Sequence, residues 1–205
     1  MSKHLYKVLP LLLLLFSYAC GNSAYYASSQ AVCRFIDTDT LPESVYLDVT
    51  YVKQEPNYCG PASLSMLMSY YGHSVDQEVL GDDIVGDSGA SSFDLIEKAN
   101  EYMFSGNVIE CSLSGVLSLL AEGKPVIARI SNNAGTGGHF VVLTGYDMTD
   151  GLIYLNDPDQ PYRKHESMDE FQRLWNITNL DDGENSTNLI ISIYPSFSSV
   201  AQLNI

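Results

Sequence analysis

From Val45 onward the chain alternates apolar and polar positions with clear periods, and before it no period holds. Val45-Tyr46-Leu47-Asp48-Val49 reads as a first strand. Cys59 to Tyr71 reads as a helix, with Pro61 in its first turn and Gly72 just past its end. Its apolar residues (Ala62, Leu64, Met66, Leu67, Met68, Tyr70) run almost all round the axis, which predicts a central, buried helix. Asp76 to Leu80 and Ser91 to Met103 predict shorter amphipathic helices. Ser112 is placed to cap another that runs to Glu122, where Gly123 and Pro125 end it. The period then shortens. Pro125 to Ile130, His139 to Tyr146, Leu152 to Leu155 and Asn188 to Tyr194 are rich in Val, Ile, Leu and Tyr and predict strands, interrupted by a helix from Ser167 to Trp175. Helices gather in the first half and strands in the second, the pattern of an α+β fold.

The residues before this domain look like an address followed by a tether. Lys3 and Lys7 precede a short apolar run ending at Phe16, and Ser17-Tyr18-Ala19-Cys20 follows. The run falls short of the roughly 20 residues a spanning helix needs, but suits a secretory signal. A small residue before Cys20 resembles a bacterial lipobox, although Ser17 stands where leucine is usual. The expected organisation is a signal peptide over 1–19, a lipid-anchored tether over 20–44, one domain over 45–195 and a tail over 196–205. The product would be exported and held to the envelope by a lipid on Cys20, on the outer or the cytoplasmic membrane and facing away from the cytoplasm.

Composition narrows the function. The 205 residues carry 25 acidic and 10 basic side chains, a formal net charge of −15. That balance excludes nucleic acid as a partner and a basic patch as a lipid-docking device. A hydrophobic content of 45% supports a real core, and the length suits one domain, read as a monomer. Four cysteines are too few for a disulfide scaffold. Cys20 and Cys59 have individual readings; Cys33 and Cys111 either pair or leave Cys111 as a small buried residue. His73 and His165 lack metal-ligand spacing, Asp181-Asp182-Gly183-Glu184 completes no calcium loop, and no cofactor is expected. Asp82, Asp83 and Asp87 read as solvated loop charges, and Asn176 and Asn185, though in glycosylation-like triplets, as loop residues.

Gln54, Cys59, His139 and Asp157 carry the chemistry. Cys59 sits where loop becomes helix, so its sulfur lies near unpaired first-turn N–H groups that favour a thiolate. Gly60 beside it is expected to leave room for a substrate backbone. His139 opens a strand after Gly137-Gly138, glycines that let a loop or another chain approach. Asp157 ends the next strand across a turn at Asp150-Gly151, so both residues fall towards one sheet edge. Singly, each has a bland explanation: a structural cysteine, a polar edge residue, a turn former. In this order, on these elements, they lay out a papain-type site in which the imidazole takes the thiol proton and the carboxylate orients it. Gln54 is placed to donate to the developing oxyanion beside the Cys59 N–H.

With Tyr70-Tyr71-Gly72, Gly123-Lys124-Pro125-Val126, Gly138-His139-Phe140, Asn156-Asp157-Pro158 and Met168-Asp169-Glu170-Phe171 added, the chain resembles the bacteriocin-processing cysteine peptidases, especially their stand-alone relatives. The resemblance implies a papain-like fold over Val45 to Tyr194, with Cys59 as nucleophile, His139 as base, Asp157 as orienting acid and Gln54 as oxyanion donor. It also implies a peptide or protein substrate, cut after small residues such as Gly-Gly. Two features depart from the family's exporters: Gln54 lies five positions before Cys59 rather than six, and no nucleotide-binding Gly-x-x-x-x-Gly-Lys motif is present. Acyl transfer or deamidation by the same thioester chemistry is the alternative reaction, and an idle surface-binding lipoprotein the alternative of another class.

Overall fold

A computed structural model describes residues 38–131, 138–160, 164–176 and 187–196. The signal and the tether as far as residue 37, with Cys20 and Cys33, and most of the tail lie outside the described residues, as do Asp181 to Asn185. After a short 3-10 turn, the order is β1 (Ser44–Tyr46), α1 (Cys59–Tyr70), α2 (Gln77–Gly81), α3 (Ser92–Glu101), β2 (Phe104–Glu110), α4 (Leu113–Ala121), β3 (Val126–Ser131), β4 (Gly138–Asp147), β5 (Leu152–Asn156), β6 (Lys164–Ser167), α5 (Met168–Trp175) and β7 (Leu189–Pro195). The sheet is antiparallel in the order β2-β7-β3-β4-β5-β6, with β1 paired to the end of β4.

Alternation along the central strands explains both the apolar runs and the layering. Ile127, Phe140, Val142 and Ile191 join α1 and α3 residues in one core; Ala128, Val141, Leu143 and Ile190 turn the other way, onto α4 and α5. These strands are buried on both faces, so they read as continuous apolar stretches. Helix α1 buries every residue from Gly60 to Met68, as its all-round apolar pattern predicts. Trp175, on α5, stacks on Phe171 one turn earlier and donates its indole N–H to the Leu189 carbonyl at 2.9 Å. No described helix is long and apolar enough to cross a membrane.

Several elements differ from the sequence expectation. Strand β2 falls between two helices, so helices and strands are not cleanly segregated; Phe104 to Glu110 has no two-residue alternation, and its ladder is supplied by β7. Strand β6, Lys164-His165-Glu166-Ser167, is a polar edge strand carried by β5. The first strand stops at Tyr46, and the chain continues extended without a ladder to Gln54. Helix α3 stops at Glu101, since Met103 turns to a φ of 62°. Gly60 is buried, and a Cβ there would meet Leu95 Cδ2 at 3.1 Å and Phe140 Cδ2 at 3.4 Å. Its role is to seat α1 against α3 and β4, not to leave space for substrate. Cys111 is buried and disulfide-bonded, with its partner outside the described residues.

Candidate active site

Helix ends decide where the nucleophile sits. Helices α3, α4 and α5 begin with Ser91, Ser112 and Ser167, whose hydroxyls accept first-turn N–H groups. Helix α1 begins after Tyr58, which gives no side-chain cap, and its first turn holds no acidic residue. Its N–H groups are therefore left for Cys59 itself. The hairpin β4–β5 brings up the other two groups. Val142 lies opposite Asn156, so the strands converge at their open end on His139 and Asp157. His139 Nε2 and Asp157 Oδ1 are 2.6 Å apart, a charge-assisted bond between two mostly buried side chains. The other ring nitrogen, Nδ1, is left for Cys59, which is also hydrogen-bonded to His139.

Each group in this chain shifts the next. Burial works against the Cys59 thiolate, but the His139 hydrogen bond, the Phe140 N–H, the imidazole charge and the Gly60 N–H outweigh it and hold the thiol below its ordinary value. Burial likewise pulls the His139 imidazolium down, yet its bonds to Asp157 and Cys59 push it up to about 9. Asp157 is held below the usual carboxylate range, as its bond to His139 overcomes burial, helped by the Asp159 N–H. Both shifts favour a thiolate facing an imidazolium over the neutral pair.

Gln54 is fixed from three sides. Its own N–H donates to the Pro158 carbonyl at 2.9 Å. Gln77, on α2, grips the residues on either side, donating to the Lys53 carbonyl at 2.7 Å and accepting the Glu55 N–H at 3.0 Å. The Gln54 Oε1 is buried without a hydrogen-bond partner, which leaves the –NH2 end of the amide for the cleft that Gln54 lines. Upstream, the extended segment is laced to the same hairpin. Leu47 N–H donates to Thr144 O at 2.7 Å, Asn156 Nδ2 to Val49 O at 3.0 Å and the Tyr51 hydroxyl to Pro158 O at 3.3 Å.

Cys59, His139 and Gln54 thus share one cleft of about 640 Å³, and Asp157 stands behind the imidazole. The cleft is also lined by residues the sequence reading did not single out for it: Asn57, Asp94 and Arg129, together with Asp87, read as a solvated charge. Asp83, read the same way, is exposed and also receives the Lys98 ammonium at 2.7 Å. The close approach that Gly138 permits is made by Arg129, whose guanidinium occupies the place a Cβ would take. No local motif marks Gln77 or Arg129; only an alignment of β3 against β4 would have found the second. Among the described residues no His, Cys, Asp and Glu group is placed to hold a metal.

The chain resembles known proteins over most of this domain. Uncharacterised proteins of Mycobacterium tuberculosis and Mycobacterium bovis are 28% identical over 119 residues, 56% of this chain and 47% of theirs. The chain therefore spans about half the length of those relatives. Among solved structures, a C39-like peptidase from Bacillus anthracis superposes with a TM-score of 0.58 at 20% identity, covering 76% of this chain and 100% of that one. The peptidase domain of Streptococcus ComA, a bi-functional ABC transporter, gives 0.56 at 19%, covering 71% and 97%. A double glycine motif protease from an AMS/PCAT transporter, solved with its leader peptide, gives 0.54 at 25%, covering 74% and 95%. These neighbours share the papain-like α+β fold. The family model described as the Peptidase_C39 like family matches residues 46–180, and the chain belongs to that family.

Proposed function

We propose that the protein is an exported cysteine peptidase that hydrolyses a peptide bond through an acyl-enzyme on Cys59. The observation that carries this reading is the uncapped start of α1, where the Cys59 sulfur meets His139, itself bonded to Asp157 at 2.6 Å. The thiolate attacks the scissile carbonyl carbon, and the carbonyl π pair moves onto oxygen. Gln54 Nε2 and the Cys59 N–H receive that oxyanion. As the oxyanion collapses, the C–N bond breaks and the imidazolium gives its proton to the leaving amine. The neutral imidazole then takes a proton from water, whose oxygen attacks the thioester and frees the acid. Throughout, Asp157 holds the imidazole and its positive charge.

A substrate with small residues before the cut, such as Gly-Gly, is supported by the likeness to the double glycine motif protease at 25% identity. Export is supported by the signal-like start and by the Cys111 disulfide, a bond kept mainly outside the reducing cytosol, and a lipid anchor on Cys20 by the lipobox-like Ser17-Tyr18-Ala19-Cys20.

The test is cleavage of a peptide library, including peptides with an internal Gly-Gly, by the full chain and its Cys59→Ala variant. Products read by mass spectrometry are expected with the wild-type chain alone. An added amine nucleophile separates hydrolysis from acyl transfer by the mass of the acyl product. Identical, uncleaved libraries with both proteins would sink the reading.

A further inference from the structure

The two walls of the cleft differ in charge. Asp87 and Asp94 line the helical wall, in the loop before α3 and in its first turn; Arg129 and His139 line the sheet wall. The loop that carries Asp87 is held at both ends. Upstream, the buried Lys98 ammonium binds Asp83 at 2.7 Å and Glu101 at 2.9 Å. Downstream, Ser91 and Asp94 exchange capping-box bonds of 3.2 and 2.8 Å. Between them Gly86 and Gly89 bond each other's backbone in both directions, at 3.3 and 3.0 Å, and the turn they close presents Asp87 and Ser88. A Cβ on Gly89 would lie 3.5 Å from the Asn57 carbonyl, so this turn abuts the loop two residues before Cys59.

The two carboxylates are not equivalent. Asp94 spends Oδ2 on the Ser91 N–H and lies at a helix start that offsets its charge. Asp87 is exposed, and among the described residues no side chain bonds or pairs with it. A carboxylate fixed at a turn tip, in the cleft of the nucleophile and without an internal cation, is placed to receive one from the ligand. The net charge of −15 draws cationic peptides towards the protein.

Resting on the peptidase reading, we infer that the cleft selects a substrate with a lysine or arginine within three positions of the scissile bond, received by Asp87. The long stem of either side chain lets its charged end reach the turn while the backbone lies at Cys59.

The test compares the cleavage profiles of the full chain and its Asp87→Asn and Asp87→Lys variants on one mixed peptide library. Wild type is expected to favour Lys or Arg at one position by roughly three- to tenfold, a range set by partly exposed ion pairs. Asp87→Asn is expected to flatten that position and Asp87→Lys to turn it towards Asp and Glu. A flat wild-type profile, or a preference that survives Asp87→Asn, overturns the inference and leaves the peptidase reading standing. A second measurement does not depend on turnover: the rates at which a cationic and an anionic methanethiosulfonate modify Cys59. Their ratio is expected to fall by a similar factor in Asp87→Asn, and less so at high salt. An unchanged ratio also overturns the inference, whether or not any peptide is cut.

Discussion

The sheet wall of the cleft and its helical wall are built from opposite kinds of residue. On the sheet side, His139 lies at the start of a strand buried on both faces and Asp157 just past the end of its neighbour, and the bond between them is 2.6 Å long. On the helical side, beyond Cys59 itself, the cleft is lined by an exposed turn held by ion pairs and caps. Groups that must keep a pKa and an angle need low dielectric and rigid backbone. A group that only chooses among ligands works through water-facing charge, and its replacement costs little elsewhere. Chemistry and choice are thereby separable by mutation.

The sheet side should fail hardest. His139→Ala is expected to lower kcat by a factor on the order of 10⁶, and Asp157→Asn by about 10⁴, measured on any peptide the wild type cuts. Asp87→Asn causing a comparable loss on uncharged peptides would break the comparison. Gln54→Ala is expected to cost about 10²–10³ in kcat. Its unfolding midpoint should hold or rise, since the variant deletes a buried oxygen that has no partner. Gln77→Ala, which loosens the residues on both sides of Gln54, should lower kcat less than Gln54→Ala and leave KM nearly unchanged.

The pH profile sharpens the same contrast. The thiolate–imidazolium pair forms above the lowered thiol pKa of Cys59 and persists until His139 loses its proton. Activity should therefore rise with pH below the ordinary thiol value and fall through about 9, where the leaving amine loses its proton donor. A profile still climbing above that limb would contradict the assigned roles. Smallest in activity but clear in stability is Asn156→Leu, which removes the buried amide that donates to the Val49 carbonyl. It should cost about 1–3 kcal/mol in urea unfolding.

Much of this was legible before any coordinates. The all-round apolar pattern of α1, the serines that start α4 and α5, and the Asp150-Gly151 turn each follow from local chemistry. With the strand signals they place Cys59, His139 and Asp157 on the right elements. What was not legible is tertiary. Phe104 to Glu110 becomes a strand because β7 is beside it, and Gly60 is a glycine because of Leu95 and Phe140, distant in sequence. Asp87 looks like any loop carboxylate until the turn that bears it is seen against Asn57. The same holds for Gln77, an ordinary residue at the start of α2 whose two hydrogen bonds bracket Gln54.

One oxygen gives the site its last property. The Pro158 carbonyl accepts both the Gln54 N–H and the Tyr51 hydroxyl, one residue beyond Asp157. The strip that bears the amide and the bend that bears the carboxylate are therefore hinged on a common pin, and neither swings open alone. In deuterium exchange the Gln54 amide should report the opening of the Asp157 bend. An inhibitor that stiffens either piece would slow exchange in the other without touching it.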